Sequence, residues 1–140
     1  MPALRLLLLL LFVTGYPLQD ALAERVVLFL GDSLTAGLGV EPEEAYPRLL
    51  GALLTKDGVA DVRIVNGGVS GSTSASALSR LQWYDKIRPS VLFLALGAND
   101  GLRGLTVEEM GNNLAEVIDA ARKRGMSVIL AGMELPPNYG

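Results

Sequence analysis

Short apolar runs rich in β-branched residues alternate along this sequence with segments of helical periodicity. The runs typical of buried strands are residues 25–30, 62–65, 91–96 and 127–131. The segments typical of helices are residues 46–56 and 74–81, and a third that begins at residue 106. Strands that alternate with helices form βαβ units, which make the sheet parallel and put helices on both of its faces. The alternation therefore predicts an α/β fold, and the absence of a linker or repeat predicts one domain.

The third helix is predicted in the most detail. Thr106 and Glu109 have the spacing of a capping box, in which each side chain binds the backbone N–H of the other residue. One apolar face follows, made by Val107, Met110, Leu114, Val117, Ile118 and Ala121. Gly125 can take the left-handed conformation that commonly ends a helix.

Residues 1–23 have the layout of a secretory signal peptide. Arg5 precedes the apolar run of residues 6–13, and Ala21-Leu22-Ala23 forms a small-x-small cleavage site. A membrane anchor is the alternative, but the run is far shorter than the roughly 20 residues that a spanning helix needs. We expect cleavage after Ala23, a mature domain of residues 24–140, and a periplasmic or secreted location.

Histidine and cysteine are both absent from the 140 residues. Without cysteine the sequence has no disulfide, no thiolate metal site and no cysteine nucleophile. Without histidine it lacks the commonest general base and the commonest metal ligand. The net charge is −3, and lysine and arginine form no stripe. Nucleic acid is therefore not expected as a partner.

Three loops that follow predicted strands combine glycine with polar residues. They are residues 31–37, 66–73 and 97–101. Ligands of open α/β sheets bind at the carboxyl ends of the strands, so these loops are the expected site. They do not form a nucleophile elbow, Gly-x-Ser-x-Gly, because Thr35 stands where its second glycine would be. Neither a P-loop nor a complete dinucleotide-binding fingerprint is present.

Ser33, Gly71 and Asn99 are the candidate site residues of these loops. Taken alone, Ser33 could simply cap a following helical turn. Together the three supply a hydroxyl, a backbone N–H that a ligand can approach closely, and a side-chain amide donor. This combination suits acyl transfer, because the tetrahedral intermediate carries a negative charge on the former carbonyl oxygen.

The same loops resemble sequence blocks of the SGNH (GDSL-type) hydrolases. Gly31-Asp32-Ser33-Leu34 is similar to the first block, and Gly71 matches the glycine of the second. Gly97-Ala98-Asn99-Asp100 is similar to the third block. The order of the blocks and their placement after strands agree as well. The resemblance extends over residues 26–140.

The resemblance implies a role for each candidate residue. Ser33 would be the nucleophile, and the oxyanion hole would consist of the Ser33 N–H, the Gly71 N–H and the side-chain amide of Asn99. It also implies a flavodoxin-like three-layer fold, hydrolysis of a small acyl ester or thioester through an acyl-enzyme, and no metal or cofactor. Asp32 and Asp100 are given structural roles, since an aspartate beside a turn more often binds backbone than reacts.

Two further segments point to one branch of this family. Residues 99–104 and 135–140 resemble the secreted arylesterases and the acyl-CoA thioesterase I/lysophospholipase L1 enzymes. In that branch the loop of residues 100–105 would border the site of the acyl chain.

The family's fourth block, an Asp-x-x-His near the C-terminus, cannot be present in a chain without histidine. The SGNH fold is therefore expected to be incomplete at its C-terminus, with the fourth strand left as an uncovered apolar edge. The sequence fits an N-terminal fragment of a longer enzyme, which the intact oxyanion donors favour, or a short protein that lost its base. Two other functions stay open: a non-catalytic protein that binds a fatty acid or other acyl anion, and an unrelated flavodoxin-like module.

Overall fold

The computed structural model describes residues 24–134, so the expected signal peptide and residues 135–140 lie outside the described part of the chain. Its strands are β1 (Arg25–Gly31), β2 (Val62–Gly68), β3 (Val91–Ala95) and β4 (Ser127–Leu130). They pair in parallel as one sheet in the order β2-β1-β3-β4. The predicted α/β fold with a parallel sheet is confirmed.

Helices of the described residues lie on both faces of this sheet. They are α1 (Ser33–Ala36), α2 (Tyr46–Lys56), α3 (Ala77–Trp83), α4 (Ala98–Leu102) and α5 (Val107–Lys123). On one face, α3 and α5 pack on the sheet and form a core. Its buried side chains are Leu28, Leu30, Ala77, Leu81, Leu92, Leu94, Leu96, Val117, Ala121 and Met126. Burial of each leucine contributes about 2 kcal/mol of transfer free energy.

The opposite face of the sheet carries an aromatic cluster under α2. Successive side chains of a strand point to opposite faces, so Phe29 lies on the other side of the sheet from Leu28 and Leu30. The ring of Phe29 stacks on that of Phe93 with centroids 4.7 Å apart, and meets Tyr46 of α2 edge-on at 5.6 Å. The fold therefore has three layers.

Helix α5 begins as predicted. The hydroxyl of Thr106 accepts a hydrogen bond from the N–H of Glu109 at 3.1 Å, and the Glu109 carboxylate accepts the N–H of Thr106 at 3.4 Å. After the helix, Gly125 has a φ of +80°. The capping box and the left-handed residue beyond the helix are both confirmed.

Two predicted elements differ from the structure in their bounds. Strand β2 was expected to end at residue 65, but it continues to Gly68 because Asn66, Gly67 and Gly68 pair with the end of β1. The segment of residues 74–81 was expected to be one helix, but Ser74–Ser76 forms a 3-10 turn before α3. Hydrogen bonds from serine side chains to nearby backbone compete with the α-helical pattern there, as the bond from Ser76 to the carbonyl of Thr73 shows.

Strand β4 lies at the edge of the sheet with little cover. Ile129 and Leu130 are each 51% exposed, which confirms the expected uncovered apolar edge. Leu49 and Leu53 of α2 are also exposed. None of the helices between residues 24 and 134 is both long and apolar enough to span a bilayer.

The strand order places a functional cleft at a defined point of the sheet. From β1 the chain goes to β2 on one side and then crosses to β3 on the other side. Ligands of open α/β sheets bind at the carboxyl ends of the strands where the order reverses in this way. Ser33 follows β1 and Asn99 follows β3, so both lie at this switch point.

Candidate active site

The side chain of Asn99 brings the three predicted loops together. Its Nδ2 donates to the carbonyl oxygen of Ser72 at 3.0 Å, in the loop after β2. The same nitrogen lies 3.5 Å from Oδ2 of Asp32, in the loop after β1. Ser33, Gly71 and Asn99 therefore belong to loops that meet at one end of the sheet, and each of the three is partly exposed.

Ser33 is the first residue of α1, but it does not cap that helix. Asp32 is the N-cap, because its Oδ1 accepts the N–H of Leu34 at 3.0 Å. The interpretation of Ser33 as a simple helix cap is therefore wrong. Within residues 24–134, neither the hydroxyl nor the N–H of Ser33 has a hydrogen-bond partner, so both are available to a ligand.

Gly71 occupies a tight turn whose geometry requires glycine. The N–H of Ser72 donates to the carbonyl of Val69 at 3.2 Å, and Gly71 has a φ of +77° at the third position of this turn. Ser70 has a negative φ, so the turn is type II. The N–H of Gly71 has no partner in the described part of the chain, which leaves it free to donate to a ligand.

Arg103, at the end of α4, holds the same turn from the other side. Its Nη2 donates to the carbonyl oxygen of Gly71 at 2.7 Å. The family resemblance of residues 99–104 includes Arg103 but implies no role for it. The bond links the loop after β2 to the loop after β3, and it places a positive charge against the residue that carries the candidate N–H donor.

Asp100 joins the site to the body of the domain. It is 1% exposed, and its carboxylate accepts the N–H of Ser74 at 2.9 Å and the hydroxyl of Ser74 at 2.5 Å. Asn113 of α5 also donates to that hydroxyl, at 3.0 Å. In the structure Asp32 and Asp100 both bind backbone N–H groups, as expected of structural aspartates.

A second set of polar side chains holds α1 in place through Thr35. The hydroxyls of Thr35 and Tyr46 lie 2.9 Å apart, and Asn66 donates to the carbonyl of Thr35 at 2.8 Å. Burial raises the pKa of the Tyr46 phenol above its ordinary value, the Thr35 hydrogen bond partly offsets this, and the negative charge of Asp32 adds to it. Tyr46 therefore stays neutral and acts as a support. No local sequence pattern indicates these contacts, because Thr35, Tyr46 and Asn66 are far apart in the chain.

An apolar cavity of about 320 Å³ borders the loop after β3. It lies between that loop, α5 and the end of β4, and Leu96, Leu105, Met110 and Leu114 are among its lining residues. A larger cavity of about 500 Å³ between α2 and β2 contains no residue of the three loops. The lining of the smaller cavity includes Ala98 and Asp100, the neighbours of Asn99 in the chain.

The arrangement can stabilise a developing negative charge. Between residues 24 and 134 the N–H groups of Ser33 and Gly71 are free donors, and the second N–H of Asn99 has only the long 3.5 Å contact to Asp32. Donors that are already fixed in place stabilise an oxyanion without reorganisation at the moment of reaction.

Comparisons with known proteins identify relatives of this chain. The model of the GDSL-like Lipase/Acylhydrolase family matches residues 29–140. Esterase TesA of Pseudomonas aeruginosa is 40% identical over 124 residues, which are 88% of this chain and 61% of that protein. An arylesterase of Vibrio mimicus is 40% identical over 84% of this chain and 59% of its own length. Thioesterase 1/protease 1/lysophospholipase L1 of Escherichia coli is 34% identical over 86% of this chain and 56% of its own length.

Solved structures agree with these relatives. The crystal structure of AlinE4, an SGNH-hydrolase family esterase, superposes with a TM-score of 0.77 at 39% identity, over 84% of this chain and 63% of that one. This chain thus spans about 60% of the length of the curated relatives that it matches. Because the family model matches residues 29–140 and two relatives are 40% identical over most of the chain, the chain belongs to the GDSL-like lipase/acylhydrolase family.

Proposed function

We propose that this chain contributes the nucleophile and the oxyanion hole of an enzyme that hydrolyses carboxylic esters or thioesters. The observation that carries the proposal is the position of the Asn99 amide, between the loop of Ser33 and the loop of Gly71. The names of the relatives, esterase, arylesterase and thioesterase, support the same reaction class.

In the proposed mechanism the Ser33 hydroxyl attacks the carbonyl carbon of the substrate and gives its proton to a base. The carbonyl oxygen becomes an oxyanion, held by the N–H groups of Ser33 and Gly71 and by the Asn99 amide. Collapse of this intermediate expels the alcohol or thiol, which takes the proton, and leaves an acyl group on Ser33. Water then attacks the acyl group by the same steps, releasing the carboxylic acid and restoring the hydroxyl.

The base in this proposal comes from outside the 140 residues, because the sequence contains no histidine. We propose that polypeptide beyond this sequence supplies an imidazole and an aspartate that orients it. The greater length of the relatives supports this reading, since the aligned part is only 56% to 61% of each of them.

The proposed substrate is a small acyl ester or thioester, such as a lysophospholipid or an acyl thioester. The apolar cavity beside the loop after β3 supports an acyl chain at this place, because Leu105 and Met110 offer it no polar partner. The cavity is open to the loop that carries Asn99. In this proposal the acyl chain enters the cavity and leaves the carbonyl group at the loop of Asn99, whose neighbours Ala98 and Asp100 line it.

Covalent labelling with an alkyl fluorophosphonate tests the proposal. The phosphoryl oxygen would occupy the oxyanion hole while Ser33 displaces fluoride, and imidazole in the buffer would supply the absent base. We expect one adduct per chain, which peptide mass spectrometry would place on Ser33. The serines at positions 70, 72, 76 and 79 serve as internal controls, and Ser33→Ala should take up no reagent.

The role of Asn99 is tested in the same experiment. Loss of one oxyanion donor costs about 10²- to 10³-fold in rate in other hydrolases, so Asn99→Ala should slow labelling by about that factor. Asn112→Ala, which removes an exposed asparagine of α5, is the matched control and should label like the parent. Adducts spread over several serines would contradict the proposal. Tight fatty-acid binding without labelling would favour the non-catalytic alternative.

We further propose that the protein is exported and that residues 1–23 are its signal peptide. The layout of charge, apolar run and small residues before Glu24 supports this. Protein recovered from the periplasm or medium should begin at Glu24 when its N-terminus is sequenced. Retention of Met1 on protein recovered with the membrane fraction would instead indicate an uncleaved anchor.

A further inference from the structure

Arg80 is a buried arginine beneath the three loops. It belongs to α3 and is 5% exposed. Its Nη2 donates to the carbonyl oxygen of Gly31 at 2.9 Å and to the carbonyl oxygen of Gly67. These carbonyls lie at the ends of β1 and β2, which are neighbouring strands. One guanidinium group therefore connects the two strands at the point where they enter the candidate site.

The burial of Arg80 is energetically unfavourable for the folded state. Burial lowers the pKa of its guanidinium below the ordinary value, while the fields of Tyr84 and Asp32 raise it again. Its Nη1 is buried without a hydrogen-bond partner among the described residues. An apolar side chain would relieve this cost, but it would also remove the hydrogen bonds to the carbonyls of Gly31 and Gly67. What these two bonds hold in place therefore accounts for an arginine at this position.

The two carbonyls that Arg80 holds are linked to the nucleophile and to the turn of Gly71. Gly31 lies two residues before Ser33. The carbonyl of Gly31 also accepts the N–H of Val69 at 3.1 Å, and Val69 is the first residue of that turn. A shift of either strand end would therefore change the distance between the Ser33 hydroxyl and the Gly71 N–H.

From these contacts we infer that Arg80 is a positioning residue, which fixes the spacing between Ser33 and the Gly71 N–H by holding the ends of β1 and β2 together. The predicted effect of Arg80 on catalysis rests on the proposed function. Its predicted effect on the order of the loops can be measured whether or not the chain is active. On this interpretation the guanidinium of Arg80 is buried, despite its unfavourable desolvation, because it fixes the geometry of the site. An error of about 1 Å in such a spacing can cost as much as 10²-fold in rate.

The test uses Arg80→Met, which keeps an unbranched apolar stem but removes the guanidinium, and Arg80→Lys, which keeps the charge. Arg122→Met, an exposed arginine of α5, is the matched control. Hydrogen exchange measured by mass spectrometry gives the first readout, comparing residues 31–37 and 67–73 with residues 107–123. The second readout is Ser33-dependent hydrolysis of p-nitrophenyl butyrate with imidazole present, separated into kcat and KM.

We expect Arg80→Met to speed exchange about tenfold in both loops and to leave α5 unchanged. Its kcat should fall about 10- to 100-fold while KM stays within about twofold, since the change affects geometry rather than binding. Arg80→Lys can reach one carbonyl and should recover part of both effects, and it provides the comparison if Arg80→Met does not fold. Arg122→Met should match the parent.

Two results would overturn the inference: loops that exchange at the parent rate, or exchange that rises equally in the loops and in α5. If the parent chain shows no Ser33-dependent hydrolysis, the proposed function fails. The exchange comparison then decides the role of Arg80 by itself, by the same two criteria.

Discussion

The purified 140-residue chain, assayed without added imidazole, is expected to hydrolyse p-nitrophenyl esters about 10⁶-fold more slowly than a hydrolase with a complete serine, histidine and aspartate triad. The sequence contains no histidine, so Ser33 has no imidazole within the chain to take its proton. The free N–H groups at Ser33 and Gly71 can still stabilise an oxyanion formed by water. A residual rate is therefore expected, and it should depend on Asn99 more than on Ser33.

The comparison that checks this is kcat/KM of the parent chain against that of Ser33→Ala. The two values should agree within about threefold, because a hydroxyl without a base adds little to the attack of water. Added imidazole should separate them, by raising the rate of the parent chain above that of the variant. A drop of more than tenfold in Ser33→Ala without imidazole would show that another group of this chain acts as the base.

The alternation of strands and helices was enough to predict the sheet, because each of these elements is indicated by residues that are close together in the sequence. A capping box such as that of Thr106 and Glu109 and a run such as residues 91–95 carry their own signals in neighbouring residues. The short helices α1 and α4 were missed, because four or five residues are too few for a helical period. The glycine-rich end of β2 was missed for a different reason. Gly67 and Gly68 have low strand propensity, but their pairing with β1 overrides it.

The loops of the candidate site could be predicted from the sequence, but the side chains that hold those loops in place could not. Ser33, Gly71 and Asn99 follow strands, and the βαβ pattern alone brings the carboxyl ends of neighbouring strands together. Arg80 and Tyr46 act on partners that are distant in the sequence, so no local pattern shows their contacts. One signal was present: Arg80 shares the face of α3 that carries Ala77 and Leu81. A charged residue on an apolar helix face indicates a buried partner.

Replacing Asp100 with alanine is expected to lower the free energy of unfolding by about 3 kcal/mol. The change leaves the N–H and the hydroxyl of Ser74 buried without their acceptor, and each such loss costs about 1 to 3 kcal/mol. Domains of this size have about 5 to 15 kcal/mol of stability in total. A large fraction of the domain's stability therefore depends on a residue that lies next to Asn99 but makes no contact with substrate in the proposed mechanism.

Urea unfolding measures this loss as a shift in midpoint at constant slope. Asp119→Ala, which removes an exposed aspartate of α5, is the control and should stay within about 0.5 kcal/mol of the parent. Because Asp100 and Ser74 are partners, the double variant Asp100→Ala with Ser74→Ala should lose less than the sum of the two single losses. Strictly additive losses would mean that the carboxylate stabilises the domain through other contacts than Ser74. In that case the loop of Asn99 would not be anchored to α5 through the bond from Asn113 to Ser74.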